Sequence, residues 1–271
     1  MSDNKFSNLF RLDDHKVLIT GAAGYLGSEI SHGVAGMGGV PILCGRTLSK
    51  LNSLAKEIDD AGGQSYVLQL DAGDMEACQD AINKLEKEFG ILHGIVNCAH
   101  SGKPGTVDTA TPADFEQAMQ VHVNGPFFLV QQGLSLLRKA AEEVDGGASV
   151  VNVSSMYGLV SPDPRIYGDS GSNNPPYYGA AKAAMSQITR YLACHLGNEN
   201  IRVNSVSPGA FPPDSIKQSK PGFYQELCKK SPLGRIGKAS EVVGPVLFLL
   251  SPASSFVTGG DLVVDGGWTS W

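Results

Sequence analysis

The sequence is short of the features that mark secreted, membrane and metal-binding proteins. No apolar run approaches the length needed to cross a bilayer, and no basic and apolar leader opens the chain. The five cysteines form no CxxC pair and have no histidines at zinc spacing, and an odd number is typical of reduced thiols. We therefore expect a cytoplasmic protein without a bound metal, whose cysteines pack as small apolar groups. A catalytic thiol at Cys98 is the alternative.

Basic residues are also scarce. The chain has 21 Lys and Arg against 27 Asp and Glu, a net charge of −6, which argues against nucleic-acid binding while leaving room for a local basic pocket. Its 271 residues are enough for a full core, so we expect a single α/β domain over 1–271.

Glycine is abundant, with 33 residues clustered at the ends of predicted elements. Short apolar strands are predicted at 16–20, 40–44, 65–70, 94–97, 149–154, 201–206 and 261–265, with helical stretches between most of them. This alternation predicts a Rossmann-type, doubly wound parallel sheet in a three-layer α/β/α fold, with ligands at the carboxyl ends of the strands. Two polar, proline-marked segments, at about 158–177 and 210–233, are predicted substrate loops.

A glycine-rich turn follows the first strand and opens the first helix. Gly21 permits the tight turn, Gly24 lets the backbone approach a pyrophosphate, and Gly27 lets helix and strand pack closely. The first helical residues, Tyr25 and Leu26, add the partial positive charge of a helix N-terminus. This context predicts a dinucleotide site, and an ordinary strand-to-helix turn is the alternative.

The end of the second strand indicates which dinucleotide binds. Arg46 lies where an acidic residue would accept hydrogen bonds from the adenosine ribose, and a guanidinium there can bind a 2′-phosphate. NADP is therefore favoured over NAD, although Arg46 would also suit a solvated surface. After the third strand, Asp71 and Ala72 are expected near the adenine, and Asn97 and Ala99 after the fourth strand are expected along the adenosine ribose. Each of these alone could instead be a cap or turn residue.

Three side chains suit chemistry on an alcohol or a carbonyl. Ser155 ends a buried strand, and Tyr178 and Lys182 have the i, i+4 spacing that puts both on one helical face. A phenol can exchange a proton with a substrate oxygen if its pKa is lowered, and the Lys182 ammonium would stabilise the tyrosinate. A lone YxxxK pair is often accidental, but here it follows a glycine turn and a serine-ended strand in the expected order.

The chain resembles the short-chain dehydrogenase/reductase family, of the compact, single-domain type. The resemblance runs almost end to end, through the motifs at 20–27, 97–99, 152–155, 178–182, 202–209 and 257–267. It implies that Ser155 orients the substrate, that Tyr178 is the acid/base and also contacts the cofactor, and that Lys182 tunes Tyr178 and holds the nicotinamide ribose. It also implies that Pro208, Gly209 and Phe211 flank the nicotinamide, and that the protein is a dimer or tetramer.

The chain departs from the family pattern at three places. His100 stands at a glycine position, and His122 stands where a fourth catalytic residue, an asparagine, is expected, with Asn124 two places away. Either His122 takes over holding the family's proton-relay water, or it is a packed core histidine. Finally, the 23 positions from Ser155 to Tyr178 are more than the family normally shows.

The long connection must lie beside the substrate because it joins two catalytic residues. Its hydroxyl, amide and charged groups favour a sugar or other polyhydroxylated or anionic compound, although a contact between subunits is an equal alternative. The sequence thus predicts an NAD(P)-dependent oxidoreductase that interconverts an alcohol and a carbonyl. A sugar-nucleotide epimerase or dehydratase and a non-catalytic nucleotide-binding scaffold are the competing functions.

Overall fold

The computed structural model describes residue 6 and residues 8–170 and 173–271. Seven parallel strands form one sheet in the order β3-β2-β1-β4-β5-β6-β7. The strands are β1 (Lys16–Thr20), β2 (Val40–Gly45), β3 (Tyr66–Gln69), β4 (Gly94–Asn97), β5 (Ala148–Val153), β6 (Ile201–Pro208) and β7 (Asp261–Val264). The predicted Rossmann-type fold is confirmed, and each strand ends within two residues of its predicted bounds.

Helices cover both faces of the sheet. They are α1 (Tyr25–Gly36), α2 (Leu48–Asp60), α3 (Met75–Glu88), α4 (Pro112–Met119), α5 (Gly125–Glu143), α6 (Pro176–Leu196), α7 (Ile216–Ser219), α8 (Pro221–Lys230) and α9 (Val243–Leu250). Along β1, Leu18 packs in one core with α3, α5 and α6, whereas Val17 and Ile19 pack in the other with α1, α2 and α9. Successive strand residues point to opposite faces, so two apolar cores form on one sheet.

The two predicted loops contain helices. Residues 210–233 hold α7 and α8, and residues 158–177 hold a 3₁₀ segment at Pro164–Ser170 and the start of α6. Pro176 and Pro221 are the first helical residues of α6 and α8, where proline's missing N–H costs nothing and its fixed φ favours the helix. These prolines therefore begin helices, whereas the sequence analysis took them as marks of loops. In the part of the chain that the structure describes, no helix is long and apolar enough to span a membrane.

A π-helical turn, Gln120–Asn124, joins α4 to α5. Just after it, a Cβ on Gly125 would lie 2.0 Å from the Ala72 carbonyl oxygen, so only glycine allows α5 to approach the end of β3 this closely. π turns frequently occur at functional sites. This one carries His122 into the interior, where the residue is fully buried.

Candidate active site

A cavity of about 550 Å³, here called the inner cavity, opens at the carboxyl ends of the central strands. This is where ligands bind in open α/β sheets. Fourteen of the fifteen residues predicted to bind the cofactor line it: Gly21, Gly24, Tyr25, Leu26, Gly27, Arg46, Asp71, Ala72, Ala99, Tyr178, Lys182, Pro208, Gly209 and Phe211. Ser155 lines it too, which places the chemical and the nucleotide-binding residues on one cavity.

The glycine turn fits a dinucleotide. Gly21 has a φ of +66°, and a Cβ there would lie 2.9 Å from the Ala99 Cα. A Cβ on Gly27 would lie 2.2 Å from the Gly21 carbonyl oxygen, so the turn folds this tightly onto α1 only with glycine. No described side chain caps the N-terminus of α1, and its first residues, Tyr25 and Leu26, line the cavity. These backbone N–H groups suit a pyrophosphate.

Asn97 does not line the inner cavity, in contrast to the prediction. It is 2% exposed, and its Nδ2 donates to the Asn152 Oδ1 at 2.8 Å, while the Asn152 Nδ2 donates to the Thr189 hydroxyl at 2.8 Å. The reason is the register of the sheet, which pairs Asn97 directly with Asn152 on β5. Asn97 therefore lies behind the cavity wall, where it begins a chain of hydrogen bonds that links β4 to β5 and β5 to α6.

The far end of the inner cavity is basic. Arg46, Thr47 and Lys50 line it, and neither the Arg46 nor the Lys50 side chain makes an ion pair with a described residue. Asp71 is the single acidic residue among the described residues that line this cavity, and its Oδ1 accepts from the Gly73 N–H at 3.0 Å. Lys50 was not predicted, although a lysine in the first turn of the helix that follows Arg46 was a readable signal for a second cation at this end.

Ser155, Tyr178 and Lys182 meet at the near end of the cavity. Tyr178 lies in the first turn of α6, and Lys182 lies one turn later, with its Nζ 5.7 Å from the centroid of the Tyr178 ring. The Lys182 Nζ also donates to the Val153 carbonyl at 2.6 Å, which fixes the ammonium beside the end of β5. The Ser155 Oγ accepts from the Tyr157 N–H at 3.1 Å, and the Ser155 hydroxyl also hydrogen-bonds the Tyr178 side chain.

Burial sets the acidities of Lys182 and Tyr178. It lowers the pKa of Lys182 to about 8, because the ammonium is removed from water. It also raises the pKa of Tyr178, against the opposing effect of a hydrogen bond from Ser155. In the chain alone the pKa of Tyr178 is therefore raised and not lowered, since desolvation of the phenol outweighs the hydrogen bond from Ser155. That the Lys182 charge stabilises the tyrosinate stays a prediction.

His122 is packed against Tyr178. Their ring centroids lie 5.7 Å apart, whereas the Asn124 amide instead donates to the Gln120 side chain at 3.0 Å. The His122 Nε2 lies 3.0 Å from the Ser101 carbonyl oxygen, which makes Nε2 the protonated nitrogen and leaves Nδ1 as an acceptor with no partner among the described residues. Burial and then the charge of Lys182 lower the pKa of His122 to about 3, so the ring is neutral at physiological pH.

A second cavity, here called the outer cavity, meets the inner one at Tyr178. Its volume is about 620 Å³, and Tyr178 and His100 line both cavities. The His100 ring lies 5.4 Å from the Tyr178 ring in an edge-to-face arrangement. Residues from both predicted substrate loops also line the outer cavity, and Tyr167 from the first packs against Phe223 from the second at 5.3 Å. The outer cavity thus gives a second ligand access to Tyr178.

Cys98 lines the inner cavity but is a poor nucleophile. Burial raises the pKa of its thiol to about 11, so the reactive thiolate is rare at neutral pH. All five cysteines are free. Cys98 is best explained as a small packing residue, as the composition indicated.

Comparison with known proteins decides the family. The family model described as enoyl-(acyl carrier protein) reductase matches residues 21–269. An L-xylulose reductase from Caenorhabditis elegans is 32% identical over 259 residues, which is 95% of this chain and 96% of that protein. The chain belongs to the short-chain dehydrogenase/reductase family. As predicted, it is an oxidoreductase that interconverts alcohols and carbonyl compounds with a nicotinamide cofactor.

Other short-chain dehydrogenase/reductases are about as similar. The 7alpha-hydroxysteroid dehydrogenase of Escherichia coli (strain K12) is 32% identical over 262 residues, covering 96% of each chain. A crystal structure of a gluconate 5-dehydrogenase from Burkholderia cenocepacia, in complex with NADP and tartrate, superposes with a TM-score of 0.85 at 27% identity, over 97% of this chain and 98% of that one. These relatives act on different classes of compound, so the choice of substrate has to come from the cavity itself.

Proposed function

We propose that this chain is an NADP-dependent reductase or dehydrogenase of sugar-type compounds, with Tyr178 as its acid/base. When bound in the inner cavity, the nicotinamide supplies or accepts the hydride. Tyr178 lines the point where the inner and outer cavities meet, so its phenol can reach an oxygen of a substrate held in the outer cavity. In reduction Tyr178 gives its proton to that oxygen, and in oxidation it removes the proton from the alcohol. The position of Tyr178 on both cavities carries this proposal.

The neighbouring residues have separate roles in the proposal. Ser155, whose hydroxyl proton is directed to Tyr178 in the chain alone, turns that proton to the substrate oxygen when a substrate is bound. Lys182, held by the Val153 carbonyl, provides a positive charge that favours tyrosinate when Tyr178 gives up its proton. The N-terminus of α6 adds to that charge, because Tyr178 lies in its first turn. The His122 Nδ1, which has no partner among the described residues, would accept a proton from a buried water, the role of the family's asparagine.

The proposed preference for NADP rests on the basic end of the inner cavity. Arg46 and Lys50 have no described acidic partner and can both contact a 2′-phosphate, and the Thr47 hydroxyl adds a donor. Asp71 and Ala72 would then lie near the adenine, and Pro208, Gly209 and Phe211 near the nicotinamide.

The chain would work as one nucleotide-binding domain with two substrate loops, at about 158–177 and 210–233, and as a dimer or tetramer. Exposed apolar side chains at one edge support the assembly: Leu262 and Val263 lie on the edge strand β7, and Phe256 precedes it fully exposed. A second copy would cover them. The free thiols suit the reducing cytoplasm, where we place the enzyme.

A screen of carbonyl compounds tests the proposed function. We expect oxidation of NADPH, followed by the loss of its absorbance, with six-carbon keto sugars or keto sugar acids, and slower or no oxidation of NADH. Under the same conditions a keto steroid and an acyl thioester should be poor substrates, because the outer cavity presents lysine and amide side chains. Turnover confined to the steroid or the thioester would contradict the proposal.

A further inference from the structure

The outer cavity carries a charge opposite to that of the whole chain. Lys103 and Lys220 line it, and none of the described residues in its lining is Asp or Glu. The full chain has a net charge of −6. A cleft whose lining charges share one sign concentrates ligands of the other sign, so this local excess of positive charge favours an anionic substrate.

Lys220 is the stronger of the two cations for a ligand. Its ammonium makes no ion pair within the described ranges, whereas the Lys103 Nζ lies 3.4 Å from the Asp114 Oδ1. The Asp163 carboxylate pairs with Arg165 at 2.8 Å and with Lys230 at 2.5 Å, and no carboxylate among the described residues pairs with Lys220. The positive charge of Lys220 therefore remains available to a bound molecule.

Asn174 adds a site for a hydroxyl group. It lines the outer cavity, and its Oδ1 is buried without a donor in the part of the chain that the structure describes. The neighbouring Asn173 Oδ1 is already occupied by the Asn174 N–H at 2.9 Å. A buried acceptor left unpaired is unfavourable, and a ligand hydroxyl that donates to it would remove this penalty.

These groups share one cavity with the reacting end of the site, since Tyr178 and His100 line it as well. A carbonyl or alcohol at Tyr178 can thus belong to the same molecule as a charged group at Lys220. Tyr167 and Phe223, which pack against each other, also line the outer cavity and give it an aromatic surface beside these polar groups.

We propose that the substrate is a hydroxylated anion, bound through its charged group by Lys220 with help from Lys103, and through a hydroxyl by Asn174. A carboxylate and a phosphate ester share this chemistry. The proposal rests on the proposed function, because it places the reacting group of the same molecule at Tyr178.

Binding to the enzyme–NADPH complex tests this directly. D-gluconate, D-glucitol 6-phosphate and D-glucitol share a six-carbon hydroxylated chain and differ in one end group, and none can be reduced by NADPH at a carbonyl. Calorimetric titration should show at least one of the two anions binding roughly tenfold more tightly than glucitol. Lys220→Gln should remove most of that difference and leave glucitol binding unchanged, while Lys103→Gln should remove a smaller part.

Lys217→Gln is the matched control. It removes the same charge three residues away, on a lysine that contacts the Tyr224 ring and does not line the outer cavity. Asn174→Ala should weaken all three ligands alike. The proposal is overturned if glucitol binds as tightly as both anions, if none of the three binds, or if the preference persists in Lys220→Gln and Lys103→Gln. Retained turnover in Tyr178→Phe would instead contradict the proposed function and leave these affinities unaffected.

Discussion

Replacing His122 with asparagine should make the stability of the protein less sensitive to acid. The pKa of His122 falls from 6.5 to about 3 in the folded chain, so the unfolded chain binds more protons than the folded one between these values. The stability contributed by the neutral ring is complete above about pH 6.5 and is lost as the pH falls toward 3. Between pH 7.5 and 5 the loss is about 2 kcal/mol.

Urea unfolding at a series of pH values measures this effect. From pH 7.5 to 5, wild type should lose about 2 kcal/mol of unfolding free energy relative to His122→Asn, whichever protein is the more stable at neutral pH. His195→Asn is the control, since that histidine is exposed near the end of α6 and its Nδ1 contacts only the Tyr191 carbonyl oxygen of its own helix. Parallel curves for wild type and His122→Asn would refute the account of a neutral, buried ring beside Tyr178.

Three further predictions concern the cofactor, the lysine and the frame of the sheet. Arg46→Ala and Lys50→Ala should each weaken NADPH binding roughly fivefold, about 1 kcal/mol, and leave NADH binding unchanged in a fluorescence titration. Lys56→Ala is the neutral control, because Lys56 lies on α2 with Lys50 but does not line the inner cavity. Carbonyl reduction should fall as the pH rises through about 8, because Lys182 then loses its charge; a rate profile flat through that range would contradict this. Arg202→Met should lower the free energy of unfolding in urea by about 3 kcal/mol or more, because the buried Arg202 guanidinium donates to the Gly146 carbonyl at 2.9 Å and to the Leu249 carbonyl at 2.7 Å. A decrease below about 1 kcal/mol would contradict this.

The features that the sequence predicted well depend on local spacing. The i, i+4 relation of Tyr178 and Lys182 and the glycines at 21, 24 and 27 act within one helix or one turn, so their geometry follows from the secondary structure. The alternation of short strands and helices likewise determines the parallel sheet. The π turn brings His122, and not Asn124, next to Tyr178, but the role of His122 in place of the family's asparagine stays a prediction.

The features that the sequence left out depend on contacts between distant segments. Asn97 was expected to line the cofactor site, but the pairing of β4 with β5 directs it to Asn152. The raised pKa of Tyr178 follows from burial by several elements, which no local pattern reports. Lys220 was not predicted to line the outer cavity, because its position there follows from the packing of α8 against the segment 158–177, which is distant in sequence.

The central claim, that Tyr178 is the acid/base, is tested most directly by Tyr178→Phe. The substitution removes one hydroxyl and keeps the ring that packs against His100 and His122. With a substrate found in the screen, single-turnover measurements at saturating NADPH should show the rate falling by about a thousandfold or more, while the dissociation constant of NADPH changes by less than about twofold. Turnover within tenfold of wild type, with NADPH bound normally, would contradict the account.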